Sequence, residues 1–171
     1  TGALAAQMAL TGGPRPTEVV TPPAIRNAQR VLLAVSGSTN AVIHMAAGAG
    51  RIGMKLDLDA FNGLSDETPV LVDLKPVGAG YMEDFHYAGG LEGVLREIAP
   101  QLETETRSIT GETLADRLSR PLADPIDRAV IREAAAPISP VGGLIALRGS
   151  LAPEGAILKR AAATEALLEH E

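Results

Sequence analysis

Val35-Ser36-Gly37-Ser38-Thr39-Asn40-Ala41-Val42-Ile43-His44 is the stretch on which the reading of the whole chain turns. A small, hydroxyl-rich turn runs straight into an apolar helix. Ser38, Thr39 and Asn40 can each cap that helix, because a short side-chain oxygen accepts from the free amides of a first turn. Gly37 lets the backbone turn tightly and lets a ligand come close. A helix start of this kind presents unpaired N–H groups and the positive end of a macrodipole, which together hold a carboxylate or phosphate. His44 lies one helical turn after Asn40, on the same face. The plain alternative is an ordinary capped helix in a globular domain, and these ten residues leave both readings open.

Outward from this turn, the helix runs to about Ile52. It is nearly all small or apolar: Ala41, Val42, Ile43, Met45, Ala46, Ala47, Gly48 and Ala49. A helix apolar on all sides is usually buried, so His44 is expected in a dry setting. Gly48 to Gly53 spells a nominal GxGxxG, but it ends a helix instead of following a strand, which rejects it as a dinucleotide site. On the other side of the turn, Thr21-Pro22-Pro23 opens a helix with Thr21 as N-cap, and Ile25, Ala28 and Leu32 carry it to about Ala34. Gly2 to Leu10 reads as the tail of a helix closed by Gly12-Gly13-Pro14.

Further along, Leu58–Leu64 reads as a short capped helix and Pro69–Leu74 as a short buried strand. Lys75–Gly80 is then a loop at the strand's carboxyl end, where ligands often sit in open α/β sheets. Tyr81–Tyr87 forms a helical turn carrying Glu83, Asp84 and His86. After Gly89-Gly90, an amphipathic helix points Leu91, Val94, Leu95 and Ile98 inward. Arg107–Thr110 reads as a short strand, with Thr110 capping a helix over Glu112–Leu118. Pro121, Pro125, Pro137 and Pro140 punctuate a stretch with little periodicity, read as an interdomain connection. Gly142–Gly149 and Ala156–Lys159 are strands joined by a turn, the beginning of a β-rich second domain whose unpaired edge invites non-native pairing. Thr164–His170 is a short helix or a frayed end.

Composition narrows the chemistry. The 171 residues suit one domain or parts of two, with 46% apolar and 21% charged residues as in a globular protein. Aromatics are only 2%, so the core is built from Ala, Val, Leu and Ile. The net charge of −6, with signs interspersed, argues against a nucleic-acid surface. No apolar run approaches the roughly 18 residues that span a bilayer, and no basic n-region precedes an apolar stretch. No membrane and a cytoplasmic location are the expectations. The chain has no cysteine, so it supplies neither a disulfide nor a thiolate metal ligand. It starts without Met and stops in an apparent helix, and is expected to be a fragment of a longer protein.

Single residues decide little. His44, His86 and His170 lack zinc spacing among themselves. Glu83, Asp84 and His86 share one turn, but adjacent helical residues point different ways, so a solvated or interface turn is the plainer reading than a metal or general-base site. Lys75 could reach an anion, although an exposed lysine is the ordinary reading. Lys159 reads as a strand-end surface residue.

Taken together, the blocks resemble a known family. Ser36–His44 is similar to the Gly-Gly-Ser-Thr-Asn-Ala-Val-hydrophobic-His block of the dihydroxy-acid dehydratase and sugar-acid dehydratase family, which includes aldonate and 6-phosphogluconate dehydratases. Pro69–Pro76 with Gly78, Tyr81–Gly90, Thr110–Leu114, Val130–Arg132 and Gly142–Ala156 resemble its later blocks in order. Ser36 stands where the family has a first Gly, and Ser150 where it has Asn.

The resemblance implies an α/β fold. Residues 1–120 would be the end of an N-terminal α/β domain with short parallel strands and packed helices, 121–140 an interdomain connection, and 141–171 the first strands of a C-terminal β-barrel-like domain. It implies a hydro-lyase that dehydrates a 2,3-dihydroxy acid to a 2-keto acid, with an iron–sulfur cluster (2Fe–2S in preference to 4Fe–4S) and Mg2+ as cofactors and a serine base. It carries none of these ligands, nor the base, onto this sequence, so the isolated segment is expected to be inactive. Ser38, Thr39 and Asn40 are expected to line the substrate pocket, with His44 behind them. A small-molecule hydroxy acid is the expected partner, and a homodimer or homotetramer the expected assembly. Phe85–Gly90 and Ala161–Ala163 look more like the sugar-acid branch. Dihydroxy-acid dehydratase of branched-chain amino-acid synthesis is the alternative within the family, and a non-catalytic scaffold or binding domain the alternative outside it.

Overall fold

The computed structural model describes residues 2–163, so the helix read over Thr164–His170, and His170 itself, lie outside the described residues. Helices α1 (Gly2–Thr11), α2 (Pro16–Val19), α3 (Pro22–Ala34), α4 (Thr39–Arg51), α5 (Leu58–Glu67), α6 (Met82–Tyr87), α7 (Gly90–Glu97) and α8 (Leu114–Ser119) precede strands β1 (Leu144–Gly149) and β2 (Ala152–Lys159). No helix among the described residues is long and apolar enough to cross a membrane.

The centre is α3. Thr21 caps it, accepting from the Ala24 amide at 3.4 Å, and Pro22 and Pro23 fill first-turn positions that need no amide donor. Its last turn feeds two hydrophobic clusters. Ala34 joins Leu71, Val72, Ala88, Val94, Leu95, Ile98, Leu102 and Ile131 in one. Leu32 and Leu33 join Val42, Phe61, Leu144 and Ala146 in the other. Aliphatic side chains thus carry most of the interior, and Phe61 is the one fully buried aromatic among the described residues.

Several elements differ from the sequence reading. Val70, Leu71 and Val72 are buried as expected, but they form no parallel ladder. Val70 and Val72 make single antiparallel bridges to Ser139 and Ile131, and only Leu74 makes a parallel one, to Gly80. Their backbone partners come from the proline-punctuated stretch, where Arg132 N donates to Leu71 O at 2.8 Å. Proline, which has no amide to donate to a ladder, interrupts continuous pairing there. The expected short parallel strands are therefore not seen among the described residues, and one two-stranded antiparallel sheet is not a barrel.

Helix α8 starts at Leu114, not Glu112, and its cap is Thr113, not Thr110. Thr113 Oγ1 accepts from Asp116 N at 3.0 Å while Thr113 N donates to Asp116 Oδ2 at 3.0 Å, a complete capping box. Thr110 instead closes the preceding turn with Ser108. In place of a strand over Arg107–Thr110 there is one bridge, Arg107 to Thr113. Along α7, Val94, Leu95 and Ile98 are buried, whereas Leu91 is 44% exposed. It borders a groove shared with Val19 and Leu114 instead of entering the core.

Strand β1 pairs antiparallel with β2, Leu144 opposite Lys159 and Ala146 opposite Ile157, with a register shift between Leu147 and Gly149. Helix α5 covers β1. Asn62 donates to Ala146 O at 2.9 Å and accepts from Ala146 N at 2.7 Å. Ser65, fully buried, donates to Leu144 O at 2.6 Å. The Leu144–Ala146 part of the β1 edge is thereby covered by side chains, whereas Leu147–Gly149 stay exposed.

Candidate functional site

The turn that opens α4 is built by the end of α3. Ser36 N donates to Leu33 O and Gly37 N to Leu32 O at 2.9 Å, which satisfies the last carbonyls of α3 and reverses the chain. Ser38 then adopts extended backbone as the N-cap of α4, and its hydroxyl accepts from Asn40 N at 3.2 Å. Of the three candidate caps, the fold uses Ser38. Thr39 is half-buried in the first turn, and Asn40 is exposed beside it. Thr39 and Asn40 therefore keep their side-chain polar groups free of the cap. The positive end of a 13-residue helix thus carries a threonine hydroxyl and an asparagine carboxamide at its first two positions.

His44 is exposed, which corrects the dry setting expected for it. Only Val42 and Ala49 of α4 are buried, because the helix packs on one side against α3 and β2. Ile43, at 65% exposure, and the small residues Ala46, Ala47 and Gly50 face outward. Ser38, Thr39 and Asn40 thus lie at one end of the helix, with His44 one turn after Asn40 on the same face, at the surface and not at the bottom of a cleft.

The pronounced clefts lie elsewhere. One of about 380 Å³ is lined by Asp73, Asp84, Asp127, Gly80 and Tyr87, a convergence the sequence reading did not make. Each carboxylate there serves a local turn. Asp73 Oδ1 accepts from Ala79 N at 3.1 Å, Asp84 Oδ2 from Tyr81 N at 2.7 Å, and Asp127 Oδ1 from Ala129 N at 2.8 Å. The signal available in the sequence was an Asp ahead of a turn for Asp73 and Asp127, and an Asp at the third helical position for Asp84, which marks such bonds but not their meeting in space. Gly78 is part of this wrap: a Cβ there would collide with Asp73 Oδ1 and fall 2.6 Å from Leu74 N, so only glycine lets the loop close on its own strand end. Lys75 lies over the Tyr81 ring at 5.2 Å, and His86 packs edge-on to Tyr87. Glu83 and His86 are exposed and do not join with Asp84 in a metal-holding group.

No group of three His, Asp or Glu side chains that could hold a metal occurs among the described residues, and the chain has no cysteine. The donor set of the described residues therefore does not fit an iron–sulfur cluster or a protein-caged Mg2+.

Comparison with known proteins places the sequence in a family. Residues 1–117 match the family described as dihydroxy-acid/6-phosphogluconate dehydratase N-terminal, and residues 129–171 its C-terminal counterpart. A dihydroxy-acid dehydratase from Nitratidesulfovibrio vulgaris is 40% identical over 158 residues, which is 91% of this chain and 28% of the relative. An L-arabinonate dehydratase from Rhizobium leguminosarum bv. trifolii is 42% identical over 159 residues, 92% of this chain and 27% of the relative. An L-arabonate dehydratase from Azospirillum brasilense is 42% identical over 157 residues, 90% and 27% respectively. The chain spans little more than a quarter of the length of these curated relatives. Two family segments in their proper order, across nine-tenths of the chain, establish that it belongs to the dihydroxy-acid/6-phosphogluconate dehydratase family.

Proposed function

We propose that residues 1–171 are part of a hydro-lyase that converts a 2,3-dihydroxy carboxylic acid, a sugar acid by preference, to a 2-keto-3-deoxy acid. The observation that carries this reading is the ordered match of both family segments together with dehydratase relatives at 40–42% identity. In this reading residues 1–120 end the N-terminal α/β domain, 121–140 connect, and 141–171 begin a C-terminal barrel. The iron–sulfur cluster, of the 2Fe–2S type, and Mg2+ are held by residues other than those described, and supply Lewis acidity toward hydroxyl and carboxylate oxygens. The assembly is a cytoplasmic homodimer or homotetramer.

The part played by this chain is binding. The positive end of α4, with the Thr39 hydroxyl and the Asn40 carboxamide, suits the carboxylate or the hydroxyls of a polyhydroxy acid. His44, one turn along, stands at the rim of the same flank. The sugar-acid preference rests on the Phe85–Gly90 and Ala161–Ala163 stretches and on the 42% identity to arabinonate dehydratases. The second reading, a dehydratase of branched-chain amino-acid synthesis, is favoured by the dihydroxy-acid dehydratases that match at 37–40% identity.

The test is 2-keto acid formation by the whole protein containing this segment, purified without oxygen, over a panel of aldonic acids and dihydroxyisovalerate. Turnover on an aldonic acid is the expected result. Preference for dihydroxyisovalerate would select the second reading, and no turnover with iron and magnesium present would select a non-catalytic domain. Thr39→Ala and Asn40→Ala are expected to raise KM about tenfold each, the loss of roughly one hydrogen bond to a charged group. Unchanged KM and kcat in both variants would remove the α4 turn from the site.

A further inference from the structure

Ser36 is in the left-handed backbone region, at φ +47°, the one non-glycine residue with positive φ among the described residues. A Cβ is strained there. Its hydroxyl is enclosed, yet it makes no hydrogen bond with any group among the described residues. Both features work against folding, and they fall on one residue two positions before the α4 cap. The space it fills explains the arrangement. A Cβ on Gly143 would collide with Ser36 Oγ, and would lie 2.5 Å from the Ser36 Cβ and 2.8 Å from its Cα. Ser36 therefore sits in the notch that Gly143 leaves, at the entrance to β1.

Gly143 is itself held on other sides. Its amide donates to Leu33 O at 3.4 Å, and its carbonyl accepts from Arg160 N at 2.9 Å. Arg160 also reaches Ser65 Oγ at 3.2 Å and Asp66 at 3.3 Å, so the root of the hairpin is fastened to α5. A side chain wedged against this fixed point fixes its own backbone in turn.

We infer that Ser36 is a positioning residue, a strained wedge in the Gly143 notch that sets where the Ser38–Asn40 turn stands relative to the β1–β2 hairpin. Its Cβ does the wedging, and its unpaired hydroxyl only costs stability. Outlying backbone geometry that the surroundings enforce is the physical ground for assigning a positional role. The inference concerns the turn itself and holds whichever acid the whole protein binds.

The test uses the 171-residue chain with Ser36→Ala, Ser36→Gly, Gly143→Ala and the Ser36→Gly/Gly143→Ala double variant. Two readouts are taken: thermal midpoint, and NMR order parameters of the backbone amides of residues 38–41. Ser36→Gly relieves the strain and the buried hydroxyl, and is expected to raise the midpoint by roughly 2–4 °C. It also removes the wedge, so order at residues 38–41 falls while amides of Leu33 and Val94 keep theirs. Ser36→Ala keeps the wedge, and is expected to keep that order. Gly143→Ala is expected to lower the midpoint by more in the parent chain than in the Ser36→Gly background. Equal order at residues 38–41 in the Ser36→Gly and Ser36→Ala variants would overturn the inference, as would additive effects of Ser36→Gly and Gly143→Ala. If Gly143→Ala does not fold, the order parameters of the two Ser36 variants decide alone.

Discussion

Asn27 carries a backbone-like task with a side chain. It is 8% exposed, and its carboxamide donates to Glu103 O at 3.0 Å and accepts from Glu103 N at 2.9 Å. The pair is the hydrogen bonding of two facing strand residues, with one partner replaced by an amide group. Asn27→Ala leaves a buried donor and acceptor unmade, and is expected to cost about 2–3 kcal/mol, read as a shift of the urea midpoint with unchanged slope. The same scale shows what could be read before the fold was known. Thr21 was legible as a cap, and the α4 cap as one of Ser38, Thr39 and Asn40, because capping is a short-range bond between neighbours in sequence. Thr113 was legible too, since Thr113 and Asp116 spell a capping box, but Thr110 stood in a similar place and drew the reading to itself. Asn27 was not legible, because its partner lies 76 residues away and nothing local announces it.

At the scale of elements, α3 is tied to the segment after α7 by more than Asn27. Arg26 meets Glu103 through two parallel bonds, Nε to Oε1 at 2.5 Å and Nη2 to Oε2 at 2.8 Å. The Arg26 hydrogen bond holds the Glu103 carboxyl below its ordinary range, although burial works in the opposite direction. A depressed carboxylate stabilises the fold above its unfolded pKa, and the gain is lost as pH falls through the folded one. The loss therefore falls below about pH 4. Both side chains are more than two-fifths exposed, so solvent screening keeps the contribution under about 1 kcal/mol. Glu103→Gln is expected to be less stable than the parent at pH 7 and to approach it at pH 3, measured as thermal midpoints across that range. Helix α4 was read correctly as an element and wrongly as a buried one. Hydropathy reports that a surface is apolar, whereas burial depends on which elements arrive to cover it, and here α3 and β2 cover one side. The Pro69–Leu74 stretch shows the converse. Its burial was legible from the apolar run Val70–Val72, but its pairing was not, because the partner backbone is a proline-rich segment without a strand pattern.

For the whole molecule, the two hydrophobic clusters meet at the last turn of α3, and both family segments contribute to them. From the C-terminal segment, Ile131 is fully buried in the first cluster and Leu144 in the second. The order of blocks in the sequence made the family readable, since order along a chain survives without any knowledge of contacts. The architecture was less readable, because it rests on pairs such as Asn62 with Ala146, which sit 84 residues apart.

That pair has a consequence for the order of events in folding. The hairpin closes locally within its own residues, but its docking to α5 requires a loop of 84 residues to close first. Such long closures are penalised entropically until many contacts reward them, so the Asn62 bonds belong to the late, downhill side of the barrier. Asn62→Ala is expected to leave the refolding limb of a chevron almost unmoved and to speed unfolding roughly thirtyfold, the kinetic image of about 2 kcal/mol. A slowed refolding limb would instead place the helix–hairpin handshake in the nucleus. The carboxamide of Asn62 then acts as a latch on a door already shut, governing how long the native state lasts more than how quickly it is reached.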